Sequence, residues 1–322
     1  MAMSPTEFEH CVNEKLYSRI YDATSQQFKQ IIPLNEFQQL VGEFCADCKQ
    51  FRIAFHNQFL QGMNYVWLNE RKDKAVFVAF DREDRIQGLY VKPFITYPHS
   101  DKRLTKNKYQ MPFIGEWFVF WGGTNEFQNY HYIYENQRYA YDFVKWNGHA
   151  TYKDTVTRNE NYFAFSEQVV TPCDGTVVAV ADGYADNIPG EMDEAHPAGN
   201  YVIIAHPHNE YSLLAHFEQN SIIVNVGDKV VAGQPVGRCG NSGNSSEPHI
   251  HFQVMDQANF EQAKSLHIRF HHKEPVQGDT VTSTQYLETP KKQMDMWDKV
   301  ETTLSISDII LFIPRIIGQF FK

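Results

Sequence analysis

Two histidines stand two residues apart in the stretch GNSGNSSEPHIHFQV, as His249 and His251, with Ile250 and Phe252 between and after them. On a β-strand alternate residues share a face, so both imidazoles leave one side while Ile250 and Phe252 enter the core. An imidazole titrates near neutrality and binds metals when neutral, so such a pair suits either acid–base work or ligation. His216 lies in a second strand-like run, YSLLAHF, in which Tyr211, Leu213 and Ala215 alternate with Ser212, Leu214 and His216. Asp142 sits in NQRYAYDFV. A carboxylate among aromatic side chains is costly to bury unless it meets a cation or a donor. Two histidines and a carboxylate match the three protein ligands that a catalytic zinc ion keeps beside its open position. Taken singly, the H-x-H pair equally suits two exposed histidines, and a lone strand histidine is more often structural. The grouping carries the argument.

These residues need strands to hold them. From Phe113 to about Glu288 the sequence breaks into short runs such as EWFVFWGG, RYAYDFV, GTVVAVADG, GNYVIIAH and GDKVVAGQPVGRCG, punctuated by Gly and Asp turns. That pattern predicts an all-β sandwich or barrel. Residues 1–100 read instead as α+β. Apolar Phe8, Val12, Leu16 and Ile20 have helical spacing, and a second helix is expected from Pro33, capped by Asn35 and running on through FCADCKQFRIAF. The runs MNYVWLN, KAVFVAFD and IQGLYVKPF follow as strands, two of them joined by a polar turn at Asp81–Asp84. Residues 101–112 are polar and end at Pro112, which reads as a linker. The tail, 289–322, is partly apolar but interrupted by Asp308, Pro314 and Arg315. It is too short for a membrane span and reads as a helix lying on a membrane or partner surface, or packing back on the protein.

With these pieces in order, the chain from about Asn129 to Val254 resembles the lysostaphin/LytM-type (M23) zinc metallopeptidases. YSLLAHF, then VGDKVVAGQPVGRCGNSGNSSEPHIHF, carry the resemblance, with DGTVVAVADG and GNYVIIAH between the motifs. It implies a mostly antiparallel β barrel-sandwich with a narrow groove, a zinc cofactor, and peptide cross-bridges of bacterial peptidoglycan as substrate. Asp142 and His251 become metal ligands, and His216 and His249 become unligated catalytic histidines. The N-terminal order of helices and curled sheet resembles the cystatin/NTF2-like domains found ahead of some cell-wall peptidases. One position departs from the family: its first ligand histidine, four residues before the aspartate, is here Arg138. A guanidinium has no lone pair to give. His131 is the proposed replacement, reached through a hairpin around YENQ. His149, His206, or loss of zinc altogether are the alternatives. Arg138, on the face of Asp142 by even spacing, is assigned to the carboxylate or to substrate, and Asn241 and Ser242 to substrate through the Gly-rich loop.

The balance of charges limits the partners. The formal net charge of −10 argues against nucleic acid. Five cysteines are no disulfide framework. Cys45 and Cys48 read as two helix positions three apart, or as a disulfide or redox pair. Cys173 and Cys239 read as small apolar fillers. The first twenty residues are polar and show no secretory leader, which fits a cytoplasmic protein or an exported one without its leader. Two rival functions stay open. One is a catalytically degenerate LytM-like domain that binds cell wall or regulates a partner hydrolase. The other is a biotinyl- or lipoyl-type carrier, whose hairpin VGDKVVAGQPVG resembles; that reading needs a lysine at the tip, and Lys229 lies before it. The sequence leaves the oligomeric state undetermined.

Overall fold

The computed structural model describes residues 2–283, so the tail expected over 289–322 lies outside the described residues. The chain divides between Ile95 and Thr96 into two compact units.

The first unit runs α1 (Pro5–Asn13), α2 (Tyr17–Asp22), α3 (Gln26–Ile31) and α4 (Leu34–Cys45), then β1 (Phe51–Phe59), β2 (Gly62–Asn69), β3 (Lys74–Phe80) and β4 (Ile86–Pro93). The four strands form an antiparallel meander in sequence order. The single helix expected through Ile20 is broken, because Lys15 takes a left-handed φ of 57°. Side-chain caps start α1 and α3, where the Ser4 hydroxyl accepts from Glu7 N–H and that of Ser25 from Phe28 N–H, while α2 begins after Leu16 without one. Asn35 lies inside α4, whose N-cap is Pro33 in extended backbone. The helix expected to continue through FRIAF stops at Cys45. Phe51 to Phe59 pair instead with Asn69 to Gly62 of β2, and this ladder overrides the local helical spacing. Phe8, Ile20, Phe37, Trp67, Val76 and Ile86 build the core of the unit. Cys45 and Cys48 are both free thiols. Burial pushes the Cys45 thiol up to about 12 and raises that of Cys48 as well, so neither favours the thiolate.

The second unit holds a short α5 (Pro98–Asp101) and ten strands: β5 (Glu116–Trp121), β6 (Tyr141–Val144), β7 (Gln168–Val170), β8 (Gly175–Ala181), β9 (Tyr201–His206), β10 (Glu210–Ala215), β11 (Lys229–Val230), β12 (Pro235–Arg238), β13 (Ile250–Met255) and β14 (Thr280–Thr282). Eight of them form one antiparallel sheet in the order β11-β8-β9-β10-β13-β6-β5-β14, and β7 pairs with β12. Val119, Phe143, Val202, Ile204, Leu214, Ile250, Phe252 and Val254 pack into its core.

The stretch 101–112, expected as a linker, belongs to this unit. Tyr109 is fully buried and bridges to Phe270, and Leu104 bridges to His267. The buried Glu210 carboxylate accepts from the N–H groups of Lys106 and Asn107 and from the Tyr109 hydroxyl. Polar composition disguised the segment, because its backbone donors are met by the buried Glu210 carboxylate and by carbonyls of His267, Arg269 and Pro172 rather than by water. No helix among the described residues is long and apolar enough to cross a membrane.

Candidate metal centre

The register of three strands builds the site. β13 lies between β10 and β6, pairing His251 with Ala215 on one side and with Asp142 on the other. Ile250 faces Phe143 and Phe252 faces Tyr141 in the same ladder, so these four fill the core while His251 and Asp142 share the opposite face. His251 Nδ1 stands 2.9 Å from Asp142 Oδ1. His131 Nε2 stands 3.0 Å from Asp142 Oδ2. All three side chains are buried, and their nitrogens and carboxylate form a group compact enough to hold one metal ion.

His131 reaches that position from a 3-10 turn, Tyr130–Ile133, and not from the hairpin strand expected of it. Asn129 explains the difference. Its Oδ1 accepts from His131 N–H, and its Nδ2 donates to the carbonyls of Gly123, Arg138 and Ala140. A fully buried amide thus folds 129–140 into a closed turn before β6 begins.

The donors fit a cation. The Gln253 amide nitrogen donates to Asn136 O, which turns Gln253 Oε1 toward His251 Nε2 at 3.0 Å. An amide oxygen only accepts, so that ring nitrogen carries the hydrogen. A neutral His251 then aims the lone pair of Nδ1 at a carboxylate oxygen, an arrangement that repels unless a positive charge lies between. His131 repeats the pattern in mirror image, with Nδ1 2.8 Å from Gln137 Oε1 and Nε2 on Asp142. On the His251 side, in the metal-free state, that charge is a proton; at His131 burial outweighs the charge of Asp142 and lowers the pKa. Burial depresses the pKa of His251, but the hydrogen bond and charge of Asp142 outweigh it and raise it overall. Burial also works against ionised Asp142, yet the imidazoles of His131, His249 and His251 around its two oxygens hold it well below the usual range.

Two further histidines face the cluster without joining it. His216 follows β10 in left-handed backbone, with a φ of 67°. Its ring lies 4.6 Å from that of His249 and 5.8 Å from that of His251. His216 Nδ1 donates to Ser242 O at 2.7 Å, and His249 Nδ1 donates to Glu247 O at 2.8 Å. Each therefore keeps Nε2 unprotonated, and that of His249 stands 3.7 Å from Asp142 Oδ1. Burial, reinforced by the neighbouring imidazoles, lowers both pKa values, that of His216 the more strongly.

Residues 162–273 match the family model described as peptidase family M23. That segment of the chain is an M23 domain. The match includes His216, His249 and His251 but begins after His131 and Asp142, which the fold brings to them. Among curated relatives, the peptidoglycan DD-endopeptidase ShyA of Vibrio cholerae is 35% identical over 91 residues, 27% of this chain and 21% of its own. An uncharacterized metalloprotease of Buchnera aphidicola is 31% identical over 90 residues, 28% of this chain and 21% of its own. The matched stretch thus spans about a fifth of the length of these relatives. The catalytic domain of lysostaphin from Staphylococcus simulans is 20% identical, covering 50% of this chain and 87% of its own, with a TM-score of 0.25.

Other residues singled out from the sequence sit differently. Arg138, expected from the sequence to stand where the family's first ligand does, makes no ion pair with Asp142 and is buried. Its Nε donates to Tyr132 O, and its guanidinium lies 3.5 Å from the centre of the Tyr97 ring. It is buried and braces the turn that carries His131. Asn241 and Ser242, assigned to substrate, are fully buried and committed internally. Asn241 Nδ2 donates to Asn159 Oδ1, while the Ser242 hydroxyl donates to Phe217 O and accepts from Asn200 N–H. Ser242 serves the site through its carbonyl, which orients His216. His206 is spent between Asp174 O and the Ser212 hydroxyl, and His149 is exposed. Cys239 is buried in the core.

Proposed function

We propose that this protein is a zinc-dependent endopeptidase of the cell envelope that hydrolyses peptide cross-bridges of peptidoglycan. The observation that carries the reading is the convergence of His131 Nε2 and His251 Nδ1 on the two oxygens of Asp142, beside two histidines whose Nε2 atoms are free to accept. His131, Asp142 and His251 would hold the ion. A bound zinc ion supplies a Lewis acid and makes water nucleophilic near neutral pH. The protein's own groups handle the protons. With Nδ1–H tied to a backbone carbonyl, His216 and His249 each present a lone pair to the site. Neither donates until it has taken a proton. One receives the proton of the attacking water, and, once charged, either stabilises the oxyanion or protonates the leaving amine. Burial keeps both neutral at rest, as a base requires. Kinship with ShyA, named a peptidoglycan DD-endopeptidase, supports the substrate class.

The test is incubation of the purified protein with peptidoglycan sacculi, with and without a chelator, while released amino groups are counted. Release that stops with chelator and returns with zinc is expected. Binding to sacculi without release would leave a degenerate, wall-binding domain instead.

A further inference from the structure

Gln253 and Gln137 have no part in the chemistry above, yet each closes the outer side of one ligand histidine. On β13, His251 and Gln253 lie two residues apart on one face, so the amide is delivered to the ring by the same strand that delivers the ring. Gln253 is buried, and its donation to Asn136 O leaves only its oxygen for His251 Nε2. Gln137 lies at the end of the turn that carries His131 and reaches back to His131 Nδ1. The two rings need opposite tautomers, because Nδ1 faces Asp142 in one and Nε2 in the other. Free imidazole mixes its tautomers, and the wrong one places N–H where a lone pair is needed.

We infer that Gln253 and Gln137 are positioning residues that impose these opposite tautomers and so make the site competent to bind a divalent cation. Each acts as an acceptor: Gln253, fixed by its bond to Asn136 O, holds a hydrogen on His251 Nε2, and Gln137 holds one on His131 Nδ1. The neutral amide has a further consequence. It orients the ring without adding a second negative charge beside Asp142, so it keeps the net charge of the loaded site more positive than a carboxylate in the same place.

The inference rests on the zinc reading and can fail separately from it. Zinc affinity of the full chain is measured by competition with a chromophoric chelator, alongside thermal unfolding of the metal-free protein. In Gln253→Met and Gln137→Met, which keep side-chain length and remove the acceptor, affinity should fall on the order of 10–100-fold. Gln253→Glu, which restores an acceptor, should recover it. Methionine variants that stay folded and bind zinc as tightly as the parent would overturn the inference while leaving the zinc reading intact. A parent that binds no zinc would overturn both. Should the variants fail to fold, nitrogen-15 spectra of the metal-free parent at alkaline pH decide: hydrogen on Nε2 of His251 and Nδ1 of His131 is expected, and the reverse assignment or a tautomer mixture at either ring refutes the proposal.

Discussion

Asp142 is the residue on which three imidazoles depend, and its two oxygens set what each substitution does. His131 and His251 each own one oxygen, whereas His249 approaches at 3.7 Å and His149 is remote and exposed. Zinc content by mass spectrometry should therefore collapse in His131→Ala and in His251→Ala, and stay near one per chain in His149→Ala. Full occupancy in His131→Ala would remove that residue from the ligand set. His249, His251 and Asp142 were legible because a strand's alternation is simple enough to read from spacing alone. Gln253 continues the same alternation and offered the same signal, but an amide has no chemistry of its own to draw notice. Gln137, Asn129 and the bracing role of Arg138 left no periodic trace. They belong to a turn whose shape is decided by one buried amide meeting three carbonyls on either side of it, a side-chain closure that spacing does not reveal.

At the scale of elements, two loops are sewn together beside the histidines. The Asn187 side chain donates to the carbonyls of Gly243 and Ser245, Gly190 N–H donates to Ser246 O, and Asn244 N–H donates to Pro197 O. Gly199 and Gly243 approach so closely that a Cβ on Gly243 would lie 2.4 Å from Gly199 N. This seam fixes Ser242 O, and with it the ring of His216. Glu247 lies on the same loop, half-buried, its carboxylate accepting from the Thr151 hydroxyl. Burial raises its pKa from 4.5 to about 7. The folded protein then keeps a proton between those values that the unfolded chain has lost, so this group's contribution to stability declines as pH rises toward 7 and is flat above. Glu247→Gln keeps an acceptor for Thr151 and cannot ionise. Its thermal midpoint relative to the parent should be higher at pH 8 than at pH 5. An equal difference at both pH values would show that the carboxyl is not perturbed. The hairpin expected around YENQ failed at this scale too, since the sequence there has the polarity of a strand turn while the Asn129 bonds demand a tighter one.

Considered whole, each unit has a core of its own, and every residue of the candidate centre belongs to the second. A fragment beginning at Thr96 and keeping the rest of the chain should unfold cooperatively and bind zinc as the full protein does. Loss of zinc binding in a folded fragment would show that the first unit contributes to the site. The division into an α+β part and a β-rich part was readable from the change in pattern near residue 100. The stretch 101–112 was not, because a segment whose donors are met by a buried glutamate and by carbonyls distant in sequence looks, residue by residue, like one met by solvent.

The pairing of His251 with Asp142 has a last consequence. Side chains alternate every second residue, so sliding β6 by one place against β13 would offer Tyr141 or Phe143 to the imidazoles and drive the carboxylate inward. Both aromatics are already locked into the packed interior, and exposing them would forfeit their burial. Any chain that folds with its oil inside has by that act aligned its ligands, so misaligned copies should be scarce even before an ion arrives to choose among them.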